Sequence, residues 1–392
     1  MIPVAKPKLP TADKLLPYLL KIDQNRFYSN FGPLVSELET AAAQHFRIHR
    51  DHVVTATNAT LALTATIRAI TKDRGGRCLL PSWTFCASAH AVVAAGLEPV
   101  FADIDPLSWQ LTPEIAAQTL REWDIAAVMV VAPFGAPVPI DQWEEFSSIY
   151  RVPVIVDAAA AFANQQPGEI PCVFSLHATK TLCAGEGSLI VCGDSDLISD
   201  IRRLTNFDFL GERIAHRPAI NAKMSEYAAA VALASLSEWP ETEKQWALRK
   251  ARYWQQLQAI DDRIYSPAKD AVTSTLVCSL PWRSEPIMSE LARQGIDSRR
   301  WYDNGCHRQP AFSDYDCTPL PVTEHISEHV IGLPLFLDLT EDEIATVIYK
   351  LRSAIRRSSR DGSYTSSEID RKVKLCAFRG LVQLGGLEPP TS

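Results

Sequence analysis

Residues 151–192 contain three short apolar runs, rich in β-branched residues, that are separated by polar, glycine-bearing loops. The runs are residues 152–156, 172–174 and 188–192. Short apolar runs bounded by turn residues are typical of strands that are buried on both faces of an α/β sheet. Asp157 directly follows the first run, and Lys180 lies in the turn between the second and third. Because ligands of open α/β sheets bind beyond the carboxyl ends of strands, we expect both side chains at a ligand site.

A lysine and an aspartate placed in this way match the chemistry of pyridoxal 5′-phosphate (PLP). A lysine amine bonds covalently to the cofactor aldehyde, and a carboxylate keeps the pyridine nitrogen protonated, so that the ring can withdraw electrons from a substrate. For any single Asp–Lys pair, a strand-end acid and a solvated lysine are the commoner arrangement. The residues around Lys180 favour the cofactor.

The segment around the lysine carries a recognisable motif. Residues 175–180 read S-L-H-A-T-K, and residues 185–187 read G-E-G. This string resembles the S-F-H-x-T-K…E-G-G signature of the DegT/StrS-type sugar aminotransferases, which are PLP enzymes of fold type I. The resemblance covers about residues 1–355, with the motifs in family order. It implies an α/β fold, with a mainly parallel seven-stranded sheet in a large domain and a smaller C-terminal α/β domain.

The resemblance and the composition together suggest three regions. We expect a large PLP-binding domain over residues 1–240, a small domain over 241–357 and a disordered tail over 358–392. The tail is first rich in serine and then mixed in charge, as in segments that cannot form a core. Within the large domain, Ser36 and Glu39 form a capping-box pattern. It predicts a helix that starts at Ser36 and ends near Phe46.

A phosphate site is expected after the first strand, which lies near residues 53–56. A helix should follow over about residues 59–70, and Thr57 or Asn58 would cap it. The free amides at such a helix start suit a phosphate, although an ordinary capped helix would look the same. The family's G-T-x-A-L segment aligns here, which implies that Thr57, Asn58 and Ser175 hold the cofactor phosphate.

The resemblance assigns further residues. Trp83 is expected to stack on the pyridine ring, with packing in the core as the alternative. Residues 219–226, A-I-N-A-K-M-S-E, resemble a family segment whose asparagine reaches the cofactor phosphate of the partner subunit. Asn221 would then make a homodimer with shared active sites a condition for a complete site. The candidate substrate-binding residues are Asn30, His177, Tyr302 and His307.

These residues imply a PLP-dependent aminotransferase that moves an amino group from glutamate to a nucleotide-linked keto-sugar. The motifs look closest to enzymes that aminate a dTDP-4-keto-6-deoxyhexose in deoxyamino-sugar biosynthesis. Lys180 would hold the cofactor and then carry a proton, while Asp157 would hold the pyridinium. A dehydratase-like sugar reaction and a non-catalytic regulatory role remain as alternatives. Related dehydratases replace the lysine, so Lys180 argues against the first.

Several positions depart from the family pattern. Ala160 stands where Gln or His is usual, three residues after the aspartate. Family glycines are replaced at Ala56, Ser188, Asp208 and Ala219. A position that needs a left-handed backbone favours glycine, so these replacements indicate a divergent member.

Composition excludes several other classes. A net charge of −7 and a pI near 5.8 argue against nucleic-acid binding. The sequence lacks an apolar run of the roughly 20 residues that cross a membrane, and it lacks a secretory signal. Nine scattered cysteines without C-x-x-C spacing favour reduced thiols in the cytoplasm. His325 and His329 complete an H-x-x-E-H string, but a solvated helix face explains them better than a metal hydrolase does, so no metal is expected.

Overall fold

The computed structural model describes residues 1–209 and 211–360. Seven of its strands form one sheet in the order β1-β7-β6-β5-β4-β2-β3. These strands are β1 (Val53–Ala56), β2 (Gly76–Pro81), β3 (Leu97–Ala102), β4 (Ile125–Val131), β5 (Val154–Asp157), β6 (Cys172–Ser175) and β7 (Ser188–Val191). All neighbours from β6 through β3 run parallel, whereas β7 runs antiparallel to both β6 and β1. The mainly parallel seven-stranded sheet of the prediction is confirmed.

Helices cover both faces of this sheet, and other helices pack in a second, C-terminal unit. The helices of the described residues are α1 (Ala12–Asn25), α2 (Pro33–Phe46), α3 (Ala59–Thr71), α4 (Cys86–Ala94), α5 (Pro113–Thr119), α6 (Ile140–Tyr150), α7 (Ser195–Leu204), α8 (Glu226–Ser237), α9 (Trp239–Gln258), α10 (Ser284–Arg293), α11 (Pro321–His329) and α12 (Glu341–Arg360). Successive strand residues enter opposite cores: Val156 packs on the α2 and α8 side, and Ile155 packs on the α3 and α4 side. The strands are mostly apolar because both faces of the sheet are covered.

The C-terminal unit has its own sheet and core. Strands β8 (Leu276–Ser279) and β9 (Val330–Leu333) pair antiparallel, and α9, α10 and α12 contribute to one apolar core with them. The N-terminal residues belong to this unit: Ile2 pairs beside Ile296, and the amide of Leu335 donates to the Val4 carbonyl over 3.1 Å. The predicted large domain included this segment, and the hydrogen bonds place it with the small one. The boundary at residue 240 falls within the first turn of α9 and stays a prediction.

The second helix starts earlier than the capping box at Ser36 predicts. Helix α2 begins at Pro33, and Ser36 lies inside it. A distant carboxylate caps this helix, because Glu226 accepts hydrogen bonds from the amides of Leu34 (2.8 Å) and Val35 (3.0 Å). The predicted start was wrong because the cap comes from 190 positions away in the chain rather than from the local sequence.

The last helix continues to Arg360, so its end overlaps the start of the expected tail. The remainder of that tail, residues 361–392, lies outside the described residues. Within the described ranges, no helix is both long and apolar enough to cross a membrane.

Candidate active site

Asp157 and Lys180 are brought together by neighbouring parallel strands. Asp157 is the last residue of β5 and pairs with Val173 of β6, and Lys180 lies in the loop that follows β6. This loop is closed by backbone hydrogen bonds, from Lys180 to the His177 carbonyl (2.9 Å) and from Ala178 to the Gly185 carbonyl (2.8 Å). The two side chains lie close enough that the charge of each shifts the pKa of the other.

The environment of Asp157 was only partly predictable. Burial raises the pKa of its carboxyl group, and hydrogen bonds from Ser88 and the Ala159 amide oppose that rise, as does the charge of Lys180. The Ser88 hydroxyl donates to Oδ2 over 2.7 Å, and the Ala159 amide donates to Oδ1 over 3.1 Å. Ser88 comes from α4, and its sequence neighbourhood gave no sign of this contact.

The amine of Lys180 is tuned in the opposite direction. Burial lowers its pKa, and the nearby carboxylate of Asp157 partly restores it. A lowered pKa leaves more of the lysine as free amine near neutral pH, and the free amine is the nucleophile that attacks an aldehyde. The pair therefore supplies a carboxyl group for a pyridine nitrogen and an amine for a carbonyl carbon.

The residues predicted to hold the cofactor phosphate, which we call the phosphate cradle, lie at the adjacent strand ends. Ser188 of β7 pairs with Ala56 on one side and with Ser175 on the other, which brings the start of α3 beside the end of β6. Asn58 is the N-cap of α3, as predicted, and its Oδ1 accepts from the Leu61 amide over 2.9 Å. The first amides of a helix have no intrahelical partner, so this end can accept an anion. Thr57 is fixed by its amide, which donates to the Ala222 carbonyl over 2.7 Å.

Trp83 and Tyr302 lie on the Asp157 side of the site. Trp83 is fully buried, and its ring meets that of Tyr302 edge-on at 5.4 Å between centroids. Tyr302 stacks on Phe134 at 4.2 Å, and burial together with the charge of Asp157 raises the pKa of its phenol. The Trp83 indole N–H has no hydrogen-bond partner within the described ranges. Trp83, expected at the cofactor ring, and Tyr302, expected on the substrate side, therefore contact each other, and stacking of Trp83 on a cofactor stays a prediction.

His307 belongs to the same neighbourhood. Its Nδ1 lies 2.7 Å from the hydroxyl of Ser82, the residue before Trp83. Burial, helped by the charge of Arg308, lowers the pKa of its ring. Its buried Nε2 has no hydrogen-bond partner in the part of the chain that the structure describes. A buried ring nitrogen without a partner remains able to bind a polar substrate group.

The other predicted residues differ in how close to Lys180 they lie. His177 bonds through Nδ1 to the Thr179 hydroxyl (2.9 Å), beside Lys180. Asn30 is exposed in a left-handed turn (φ +64°) before α2. Asn221 is also exposed and lies next to Ala222, the residue that fixes Thr57. The structure brings His177 to the lysine loop, whereas Asn30 and Asn221 face outward from this chain.

The donor set fits PLP. A carboxyl group suits the pyridine nitrogen, a lysine amine suits the aldehyde, and the start of α3 with Ser175 suits the phosphate. A metal would need different groups, and no cluster of three or more His, Cys, Asp or Glu side chains in the described residues could hold one.

Comparison with known proteins decides the family. Residues 11–352 match the DegT/DnrJ/EryC1/StrS aminotransferase family. The chain therefore belongs to this family. It is a PLP-dependent aminotransferase of fold type I.

Relatives of the family align along most of this chain. The protein Rv3402c of Mycobacterium tuberculosis is 29% identical over 375 residues, with 90% of each chain covered. A dTDP-4-amino-4,6-dideoxy-D-glucose transaminase of Shigella dysenteriae is 26% identical, covering 89% of this chain and 98% of the relative. A crystal structure of DesI in the presence of its TDP-sugar product is 30% identical with a TM-score of 0.82, covering 92% of this chain and 94% of DesI.

Proposed function

We propose that this aminotransferase moves an amino group from glutamate to a nucleotide-linked keto-sugar, and that its acceptor is a dTDP-4-keto-6-deoxyhexose. Asp157 ends β5, and Lys180 lies in the loop after the neighbouring strand β6, close enough that the charge of each shifts the pKa of the other. This proximity carries the proposal. The acceptor is supported by two relatives, the Shigella transaminase named for a dTDP-linked 4-amino sugar and DesI with its TDP-sugar product.

Each central residue has a separate task in this proposal. Bound PLP supplies an electron sink for the carbon that exchanges its proton. Lys180 would hold the cofactor through its amine. Once the donor amine displaced it, the freed amine would carry the proton between the amino-bearing carbon and the cofactor. Asp157 holds the pyridine nitrogen in its protonated form. Thr57, Asn58 and Ser175 hold the phosphate.

The substrate side is assigned to the residues next to Trp83. Trp83 covers one face of the cofactor ring. The Tyr302 phenol is protonated at neutral pH, and burial raises its pKa further, so it can donate a hydrogen bond to a sugar oxygen. His307 offers its Nε2 to the same substrate; this nitrogen lies 3.9 Å from Glu324 Oε1 and has no hydrogen-bond partner among the described residues. His177 lies beside Lys180, and Asn30 keeps its predicted role in binding the substrate.

A homodimer completes the site in this proposal, and Asn221 is the residue that crosses to the partner. Exposed aromatic side chains support this assignment, among them Phe207, whose amide donates to the Ile220 carbonyl beside Asn221 over 3.1 Å. Tyr28 and Tyr227 stack at 6.3 Å with about half of each side chain exposed, and Phe207 is also exposed. Large exposed aromatic side chains next to one another favour burial against a partner. A second copy would cover them and bring Asn221 to the phosphate cradle of the first.

The protein is also proposed to act in the cytoplasm. All eight cysteines in the described residues are free thiols, which suits a reducing compartment.

The proposal is tested by absorption spectroscopy of the purified protein loaded with PLP. Glutamate should convert the bound cofactor to its amine form, and a dTDP-4-keto-6-deoxyhexose should convert it back. A panel of keto-sugar nucleotides then identifies the acceptor. A bound cofactor that neither glutamate nor any keto-sugar converts would favour the regulatory alternative, and loss of water from the sugar without amination would favour the dehydratase-like reaction.

A further inference from the structure

The segment of residues 266–275, which we call the strap, links the C-terminal unit to the lysine loop. It lies between α9 and β8, and three side chains tie it down at successive points. Lys250 bonds to the first half of the strap, and Asn164 bonds to its middle. Ser274, which belongs to the strap, bonds to the loop that carries Lys180. These ties come from parts of the chain that are far apart in sequence.

Lys250 anchors the strap from inside the C-terminal unit. Its side chain is 3% exposed, and its ammonium donates to the carbonyls of Ala268 and Ala271, the latter over 2.7 Å. Burial lowers its pKa to about 7, and the charge of Asp270 opposes this shift. A buried amine whose donors are directed at two strap carbonyls fixes the course of the strap.

Asn164 fastens the strap to the large sheet. Its Nδ2 donates to the Val272 carbonyl over 2.9 Å and to the Gly135 carbonyl over 3.0 Å. Its Oδ1 accepts from the Val272 amide over 2.9 Å. Since Asn164 follows the β5 strand that ends in Asp157, the strap is registered against the same strand end as the cofactor carboxylate.

Ser274 completes the connection to the catalytic loop. Its hydroxyl donates to the carbonyl of Thr179 over 2.6 Å, and Thr179 directly precedes Lys180. Ser274, Thr179 and Lys180 all line a cavity of about 390 Å³ between the two units. Backbone hydrogen bonds close this loop from within, and the Ser274 hydroxyl adds a tie on the side that faces the cavity, so it can adjust where the backbone of Lys180 lies.

We propose that Ser274 is a positioning residue for Lys180, and that Lys250 and Asn164 hold the strap that presents it. The inference rests on the proposed function, in which Lys180 bonds to the cofactor aldehyde. The strap acts on the lysine through the backbone carbonyl of Thr179, the residue before it. Because the strap also bonds to Lys250, it links the position of the C-terminal unit to the position of the lysine backbone.

Two forms of the cofactor separate positioning from general support. Pyridoxamine phosphate cannot bond covalently to Lys180, so its affinity reports the noncovalent contacts of the cofactor, whereas the affinity for pyridoxal phosphate reports those contacts together with the covalent bond to the lysine. In Ser274→Ala, the affinity for pyridoxal phosphate should fall about fivefold, the value of one hydrogen bond, while that for pyridoxamine phosphate changes less than about twofold. Equal losses for both forms, or no loss for either, would overturn the inference.

Conservative and matched variants sharpen the test. Ser274→Thr keeps a hydroxyl and should restore the affinity for pyridoxal phosphate. Ser147→Ala removes a similar hydrogen bond, from the Ser147 hydroxyl to the Val152 carbonyl (2.9 Å) before β5, and should leave both affinities unchanged. Lys250→Met should reproduce the selective loss of Ser274→Ala. If the wild-type protein binds pyridoxamine phosphate but never bonds covalently to pyridoxal phosphate, the proposed function itself fails.

Discussion

The hydroxyl of Ser88 donates a 2.7 Å hydrogen bond to the carboxylate of Asp157 at the centre of the site. Ser88 and Thr84 are both buried, and their hydroxyl groups lie 2.8 Å apart. Because the Ser88 proton is directed at Asp157, Thr84 donates to Ser88, and the two hydroxyls form a directed chain that ends on the carboxylate. This chain stabilises the charged form of a carboxyl group that burial would otherwise neutralise.

Replacing Ser88 by alanine should weaken cofactor binding. The change removes a donor from Asp157 and raises the pKa of its carboxyl group further, so the pyridinium has a weaker partner. We expect about a tenfold loss of affinity for pyridoxamine phosphate near pH 7, since a hydrogen bond to a charged group contributes roughly 1.5 kcal/mol. Titration calorimetry measures this loss, with Ser88→Thr as the control that keeps the hydroxyl. Unchanged affinity in Ser88→Ala would show that the chain does not act on Asp157.

Replacing Asp208 by glycine should destabilise the protein even though glycine is the family residue. Asp208 is fully buried at φ +60°, and its carboxylate accepts from the amides of His216 (3.2 Å) and Arg217 (3.1 Å) and from the Arg203 side chain. We expect the free energy of unfolding to fall by about 2 kcal/mol near pH 7, after allowance for screening of the partly exposed arginines. Urea unfolding measures this difference.

The same pair of proteins should differ less in acid. Burial alone would raise the pKa of Asp208, but Arg203, Arg217 and the His216 amide lower it below its ordinary value of 3.8. A carboxyl group whose pKa is lowered by folding stabilises the fold at pH values above its pKa in the unfolded state. This contribution disappears as the pH falls through its pKa in the folded state. The difference in unfolding free energy between the native protein and Asp208→Gly should therefore narrow as the pH falls below 3.8, the ordinary pKa of this group. A difference independent of pH would mean that the carboxylate charge contributes nothing.

Glu226→Ala should destabilise the start of α2. Its buried carboxylate accepts from the amides of Leu34 and Val35, which the substitution leaves without this cap. A lost cap with two charge-assisted hydrogen bonds should lower the free energy of unfolding by about 2–3 kcal/mol. Glu226→Gln retains one acceptor oxygen and should lose less. If the two variants unfold at the same urea concentration as the native protein, this carboxylate does not hold the helix.

Mixed dimers test the shared site. Lys180→Ala and Asn221→Ala should each impair transamination, for loss of the amine and of the partner's contact with the phosphate respectively. When the two variants are mixed and allowed to exchange subunits, a heterodimer contains one site with both native residues. Activity should therefore return on mixing, as measured by conversion of the bound cofactor with glutamate. No recovery in verified heterodimers would remove Asn221 from the partner's site.

The parts of the site that local sequence controls were predictable. Asp157 and Lys180 follow apolar strand runs, so the rule that ligands bind at carboxyl strand ends located both from the sequence. Asn58 was a candidate cap because a short polar side chain before an apolar helix is a local signal. The seven-stranded sheet followed from the family resemblance and from alternating helices and strands.

The remaining contacts depend on residues that meet only in three dimensions. Ser88 reaches Asp157 across 69 positions, and Glu226 caps α2 across about 190. No pattern around either residue indicates its partner, because buried polar groups are paired by tertiary packing. Ser36 shows the reverse case: its local capping pattern is present, but the helix starts where the distant carboxylate lies. The aspartate at position 208 likewise replaces a family glycine by making its own bonds in the left-handed turn.

The most direct test of the account is to locate the covalent link to the cofactor. The PLP-loaded protein is reduced with borohydride, which makes the link permanent, then digested and analysed by mass spectrometry. We predict that the phosphopyridoxyl group is attached to Lys180 in the native protein and to no peptide in Lys180→Ala. Attachment to a different lysine, or none at all in protein that binds PLP tightly, would contradict the central role of Lys180.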